Sequence, residues 1–166
     1  LESTYKDSTG YWETIFTLAS SSGMGEPLFD AAENLYRMDP DNWAYTNNYA
    51  ALLVSERRKP ETAVSLTYEL MNRDKNVNIA SVINHALALA LNRRFVEAVE
   101  YMKKIPSDTL SAELVPGYNM AWFEIAYRKK DFDTAREYGL KVDVDKLLPD
   151  DKLFYLETWD TLNTIR

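Results

Sequence analysis

Four copies of one pattern follow each other along the chain at nearly constant spacing, and this internal repeat limits the possible fold more than any other feature. A small or apolar residue stands early in the second predicted helix of each copy, at spacings of 35, 35 and 37 residues. The residues that open the first helices keep the same spacings. The two sets are Leu28, Ala63, Ala98 and Ala135, and Trp12, Asn47, Val82 and Asn119. Two independent sets of markers therefore indicate a repeated helix–turn–helix unit.

The second copy, from about residue 42 to 76, shows the unit most clearly. A basic turn at residues 57–59 separates its two predicted helices, and Pro60 stands where a proline readily opens a helix. Ala63 occupies the point where the two helices would come closest, since close approach requires a small side chain. The copy therefore predicts a hairpin of two helices, and its recurrence predicts an array of hairpins.

Apolar residues at helical spacing place the individual helices. The fifth helix is apolar nearly all round, which is typical of an element buried on most sides. The last helix has no partner hairpin, and we expect it to cap the array with Leu153, Phe154 and Leu156 inward and Asp151, Glu157 and Asp160 in water. The expected helices are at about 9–21, 26–38, 43–56, 60–73, 77–91, 94–104, 116–129, 131–142 and 149–163.

The pattern resembles the tetratricopeptide repeat, in which an aromatic residue, small residues and a closing proline recur at fixed offsets. The best local matches are residues 38–42, as the exit from one repeat, and residues 127–135, as a turn into a second helix. The resemblance implies an all-α fold, a right-handed superhelix of about four hairpins with a C-terminal capping helix. It covers a single domain, 1–166, with repeats at about 9–41, 42–76, 77–106 and 115–143 and a capping helix at about 149–163.

In proteins of this family, the first helices line a concave groove that holds an extended peptide or a helix. The resemblance therefore implies a peptide-binding groove in which apolar side chains take ligand side chains and polar ones bind its backbone or a basic residue. The residues that match the groove positions are Tyr45, Asn48, Leu52, Ile83, Asn84, Leu87, Met120, Glu124 and Tyr127. The alternative is that Ile83 and Leu87 pack only against neighbouring helices, and the sequence does not decide between the two.

Net charge and composition limit the classes of partner. The net charge of −7 and pI of about 4.8 oppose nucleic-acid binding and docking on an anionic membrane. No cysteine is present, which excludes thiolate chemistry, and no apolar run approaches the roughly 18 residues of a membrane span. We expect a cytoplasmic location, with the periplasm left open. Because the chain begins at Leu1, we also expect it to be part of a larger, bacterial protein.

No residue pattern predicts catalysis, a metal or a cofactor. His85 is the only histidine, and we expect it to be packed and hydrogen-bonded rather than a ligand. Basic residues stand at three inter-helix turns, 57–59, 93–94 and 128–130. The simpler interpretation is that they complement helix dipoles, and the other is a basic stripe for an acidic partner.

The sequence thus predicts a non-catalytic module that binds a protein or peptide in its groove. One alternative is a structural segment that self-associates as a homo-oligomer or extends a longer solenoid. A more remote one is an enzyme in which Glu124 and Tyr127 lie near His85.

Overall fold

The computed structural model describes residues 7–73 and 78–165. These residues form nine α-helices and two short 3₁₀ turns, with no strand, so the predicted all-α class is confirmed. The start of the chain and the predicted junction of two repeats at 76–77 lie outside the described residues. The helices are α1 (Thr9–Ser22), α2 (Gly25–Met38), α3 (Trp43–Ser55), α4 (Pro60–Arg73), α5 (Ile79–Leu91), α6 (Phe95–Lys103), α7 (Val115–Lys129), α8 (Phe132–Gly139) and α9 (Pro149–Thr164), and the 3₁₀ turns are η1 (Ser107–Thr109) and η2 (Val144–Lys146).

One predicted helix boundary differs by three residues, and a short 3₁₀ turn forms at Ser107–Thr109 in the connection before α7. Helix α8 ends at Gly139 instead of residue 142. Beyond this end the N–H of Lys141 donates to the carbonyl of Tyr138 at 2.9 Å, and the amide of Asn119 donates a 3.0 Å hydrogen bond to the carbonyl of Lys141. The chain there closes into a tight turn, which is how a helix end commonly satisfies its last carbonyl groups.

The chain divides into two compact units, Leu1–Leu52 and Leu53–Arg166. In the first unit α1 packs on α2. Tyr49 of α3 completes its core: the ring meets Phe29 edge-on at 5.6 Å and stacks on Tyr36 at 5.2 Å. Its hydroxyl donates to Glu33 at 2.9 Å, so the buried phenol keeps a polar partner.

In the second unit α5 is the central helix and packs against α4, α6 and α7. Its Ile83, Ala86 and Leu89 lie in a buried cluster with Met102 of α6 and Ile125 of α7. This burial confirms the prediction from its apolar sequence. Helix α7 packs in turn on α8, and α9 packs on both.

The repeat is visible in the backbone at the end of the first helix of each copy. The residue after the helix adopts a left-handed conformation, and the next N–H donates to the carbonyl five residues earlier, which is the Schellman geometry. These residues, with their φ angles, are Gly23 (65°), Arg57 (56°), Arg93 (61°) and Lys130 (66°). The hydrogen bonds are Met24 to Ala19 (3.0 Å), Arg58 to Leu53, Arg94 to Leu89 and Asp131 to Ala126 (each 2.9 Å). The four turns are therefore one local structure.

The marker residues of the second helices are packed as expected. Ala63, Ala98 and Ala135 are fully buried, each at the start of its helix. Leu28, the larger residue of the first copy, is half-buried. Small residues thus stand at the close contacts that the repeat requires.

The inward face of α9 was predicted correctly in part: Phe154 packs against the core, and Glu157 and Asp160 are exposed. The rest of the prediction was wrong. Leu153 and Leu156 are exposed and Asp151 is half-buried, whereas Tyr155 and Leu162 lie in the core. The reason is a close contact with α8: the backbone of Gly139 leaves room for the ring of Trp159, and a Cβ there would lie 2.2 Å from it. The Tyr155 hydroxyl also donates to the carbonyl of Gly139 at 3.0 Å, so these contacts fix the rotation of α9.

Candidate functional site

Three predicted groove residues lie in the first unit, all on α3. Tyr45 is half-buried, and its hydroxyl donates a 2.5 Å hydrogen bond to Glu13 of α1. This bond and the nearby negative charge raise the pKa of Tyr45. Asn48 and Leu52 are half-buried as well. Tyr45 is therefore engaged within its own unit.

The other six predicted residues lie on α5 and α7 of the second unit and separate into two groups. Ile83, Met120 and Glu124 are buried. Ile83 belongs to the core cluster around α5, and Met120 belongs to the cluster that α7 forms with α9. Asn84, Leu87 and Tyr127 are half-exposed. The part of the predicted face that lies on α5 and α7 is thus partly covered by neighbouring helices.

His85 is packed and hydrogen-bonded, as expected. Its Nδ1 lies 2.9 Å from Oγ1 of Thr67, and the ring meets Tyr101 edge-on at 4.9 Å. Burial, helped by the charge of Arg94, lowers the pKa of His85 to about 4, so the ring is neutral near pH 7. It borders a shallow cavity of about 450 Å³ that neither Glu124 nor Tyr127 lines. Across residues 7–73 and 78–165, no group of acidic side chains and histidine has the arrangement of a metal site.

Glu124 is the centre of a charge cluster. Its carboxylate accepts from Nη2 of Arg57 at 2.6 Å and from Nε of Arg128 at 2.7 Å. Arg57 also contacts Asp151 of α9 at 3.1 Å. The ring of Phe154 lies under both guanidinium groups, 4.1 Å from Arg57 and 5.2 Å from Arg128. These contacts join the turn at 57–59, α7 and α9, so the cluster is structural.

Asp151 is the member of this cluster whose ionised form is disfavoured. Its burial, together with the negative charges of Glu124 and Asp150, raises its pKa to about 6, although Arg57 acts in the opposite direction. One guanidinium group is therefore shared between two carboxylates, of which Glu124 has the shorter contact.

A cavity of about 660 Å³ opens at the turn ends of α5 to α8. This turn-edge cavity combines aromatic and apolar side chains with three cations. Its lining residues are Ala90, Leu91, Arg93, Phe95, Tyr127, Arg128, Lys130 and Phe132. The size falls within the roughly 300–1,000 Å³ of ordinary ligand sites. Tyr127 is the predicted groove residue that belongs to it.

Two of the three cations are held in a costly backbone conformation. Arg93 and Lys130 occupy the left-handed position where glycine is favoured, at a cost of roughly 1–2 kcal/mol for other residues. Complementing a helix dipole returns only about 0.3–1 kcal/mol at an exposed site. Arg57 has the same conformation in a structural cluster, so the left-handed backbone belongs to the repeated turn and does not decide between the dipole interpretation and a basic surface.

Sequence reasoning missed the apolar part of this cavity, Leu91, Phe95 and Phe132. The sequence contains a pattern that could have found two of them. Phe95 and Phe132 each open a second helix just after a basic turn, and they stand 37 residues apart. That spacing equals the repeat interval between the third and fourth copies. An aromatic residue repeated beside a repeated cation indicates a shared surface.

Comparisons with protein-family models, with curated proteins and with solved structures give no match. Within the described part of the chain, none of the helices has the length and apolar character needed to cross a membrane.

Proposed function

We propose that the chain is a tetratricopeptide-like module that binds a peptide segment of another protein without catalysing a reaction. The turn-edge cavity is the observation that carries this proposal. Rings of Phe95, Tyr127 and Phe132 offer rigid apolar contact area, and cations stand at the edge. Aromatic residues and arginine are the side chains that contribute most at protein interfaces.

The repeated turns support the tetratricopeptide-like part of the proposal. Four first helices end in the same left-handed turn, and the small residues that follow are buried in three of the four copies. A module of this kind presents the ends of successive hairpins side by side, so that neighbouring turns contribute to one surface. The cavity uses the turns after α5 and α7 in this way.

Peptide-display selection against the folded chain tests the proposal. We expect a selected peptide to bind the wild type and to lose about tenfold in affinity with Leu91→Gln, which removes apolar lining without adding charge. Leu140→Gln makes the same chemical change at a residue that is exposed and does not line the cavity. This control variant should bind like the wild type. Failure to enrich any peptide, or equal binding by both variants, would contradict the proposal.

A second candidate is the structural role, favoured by the outer face of α9. Leu148, Leu153 and Leu156 are 58%, 57% and 46% exposed beside and along this helix. An end cap normally shows a polar outer face, so these leucines suit burial against a further hairpin or a second copy. Light scattering on the wild type and on Leu153→Gln/Leu156→Gln distinguishes the two: a dimer that the variant abolishes would favour the structural role.

A further inference from the structure

The charge around the turn-edge cavity is opposite to that of the chain. Every charged residue that lines it is cationic, namely Arg93, Arg128 and Lys130, whereas the whole chain has a net charge of −7. The positive charges come from two separate hairpins. The surface therefore carries a local excess of cations on an acidic protein, and such a surface attracts negatively charged partners.

Two of these cations are available to a ligand. The side chains of Arg93 and Lys130 are exposed and make no ion pair within residues 7–73 and 78–165. Arg128 is engaged, because its Nε donates to Glu124 and its guanidinium lies over Phe154. The first two therefore provide free charge at the mouth, and Arg128 forms part of the fixed wall.

The backbone holds both free cations in place. Each follows a helix end closed by a 2.9 Å hydrogen bond, Arg94 to Leu89 in one turn and Asp131 to Ala126 in the other. Such closed turns fix the Cα positions of Arg93 and Lys130, so both side chains start from defined points beside the cavity. A preorganised backbone lowers the ordering cost when a ligand binds.

The apolar part of the cavity lining, called the floor below, favours a ligand with an apolar side chain. This name stands for the half-buried Phe95, Tyr127, Phe132 and Leu91, which are the larger apolar and aromatic residues that line the same cavity as the two cations. Partners for such a surface are aromatic or large aliphatic side chains. A phosphate backbone alone would leave it uncovered.

We infer that the turn-edge cavity binds an acidic linear peptide segment, with one aromatic or large aliphatic side chain on the floor and flanking carboxylates at Arg93 and Lys130. This inference rests on the proposed function and names the class of its ligand. The guanidinium of Arg93 accepts a carboxylate through two parallel hydrogen bonds, and the ammonium of Lys130 binds as a point charge.

Fluorescence anisotropy with three labelled peptides tests the inference. The probes are Gly-Asp-Glu-Phe-Asp-Glu-Gly, its amide form with Asn and Gln, and its basic form with Lys and Arg. We expect the acidic peptide to bind about tenfold tighter than the amide form at low salt, with the difference shrinking as salt is added. Equal affinity for the acidic and amide peptides would overturn the inference.

Charge reversal at the rim provides the decisive variant. Arg93→Glu/Lys130→Glu should lose the preference for the acidic peptide and gain affinity for the basic one. Lys103→Glu/Lys104→Glu reverses two charges at another helix end, with the same change in net charge and with neither residue lining the cavity. Circular dichroism establishes that both variants fold. The control should keep the wild-type preference, and loss of the preference in both would overturn the inference.

The failure of this inference is distinguishable from failure of the proposed function. If display selection yields peptides that bind independently of charge, the module stands and the acidic class is wrong. If a single-stranded oligonucleotide or an anionic vesicle binds more tightly than the acidic peptide, the ligand class is wrong. If nothing is selected and no probe binds, both are wrong.

Discussion

The turns that contain Arg57 and Arg93 have the same backbone geometry and carry the same side chain, yet the two guanidinium groups are in different environments. Arg57 contacts Glu124 and Asp151 and lies on the ring of Phe154. Arg93 is exposed at the turn-edge cavity. The difference lies in the helix that packs against the turn, because α9 supplies Asp151 and Phe154 to Arg57. A repeated cation is thus structural where a helix covers it and available for binding where none does.

The strongest way to break this comparison is to remove Glu124. Glu124→Gln leaves Arg57 and Arg128 without their buried carboxylate, and losing one member of a buried ion pair costs about 3–5 kcal/mol. We expect a loss of about 3 kcal/mol in the free energy of unfolding by urea. Glu97→Gln makes the same change in the exposed Arg94–Glu97 pair and should leave stability unchanged. Equal effects of the two changes would show that the cluster is not structural.

The pKa of Asp151 gives a second test of the comparison, because Asp151 contacts Arg57 and not Arg93. Its pKa is raised to about 6, so the folded protein binds this proton more tightly than the unfolded chain does. The contribution of this tighter proton binding to the free energy of unfolding is fully present below about pH 4 and is lost as the pH rises through about 6.

Relative to Asp151→Asn, the wild type should therefore lose stability between about pH 4 and 6, by at most about 3 kcal/mol. Urea unfolding of both proteins at several pH values measures this difference. His85 has a lowered pKa and acts in the opposite direction, but it is common to both proteins and cancels. A difference that stays constant across this window would mean that Asp151 does not titrate there.

Displacing α9 should leave Arg57 without Asp151 and Phe154, so that its turn resembles the turn of Arg93. A Cβ at Gly139 would lie 2.2 Å from Trp159, so Gly139→Ala should destabilise the protein by about 1–3 kcal/mol through overpacking. Gly117→Ala is the matched control on α7, because nothing lies within 4 Å of the added Cβ. It should be neutral or stabilise by up to about 1 kcal/mol. Thermal unfolding of both variants distinguishes them, and equal stability would mean that α9 is not tightly docked.

The smallest effect concerns the ring of Phe154. Phe154→Leu keeps an apolar side chain but removes the face on which Arg57 and Arg128 lie, and we expect a loss of about 1 kcal/mol. Leu153→Ala, on the exposed side of the same helix, should stay within about 0.5 kcal/mol of the wild type. No loss with Phe154→Leu, measured by urea unfolding, would show that the guanidinium groups gain nothing from the ring.

The features predicted well from the sequence depend on neighbours in the chain. The buried alanines at 63, 98 and 135 and the four helix–turn–helix boundaries follow from residues within a few positions, such as a basic turn followed by a small residue. The apolar sequence of α5 likewise predicted its central position. Such local patterns determine elements and their packing faces when one face is clearly apolar.

The remaining features depend on contacts between distant residues. Glu124 was a candidate ligand residue by its helical position, but Arg57 binds it from 67 residues away. The face of α9 was predicted correctly for Phe154 but not for Leu153 and Leu156, because the four consecutive apolar residues 153–156 show no single face. The contacts of Trp159 and Tyr155 with Gly139 select its rotation. The groove itself stays a prediction, with Leu87 and Tyr127 half-exposed on it.

The most direct measurement is the free energy of unfolding of Arg57→Gln beside Arg93→Gln at neutral pH. These two variants make the same chemical change at equivalent turn positions. We expect a loss of about 3 kcal/mol for Arg57→Gln, because Glu124 and Asp151 lose a shared partner. We expect no measurable loss for Arg93→Gln. Equal losses, or a larger loss for Arg93→Gln, would contradict the distinction between a structural and a binding cation.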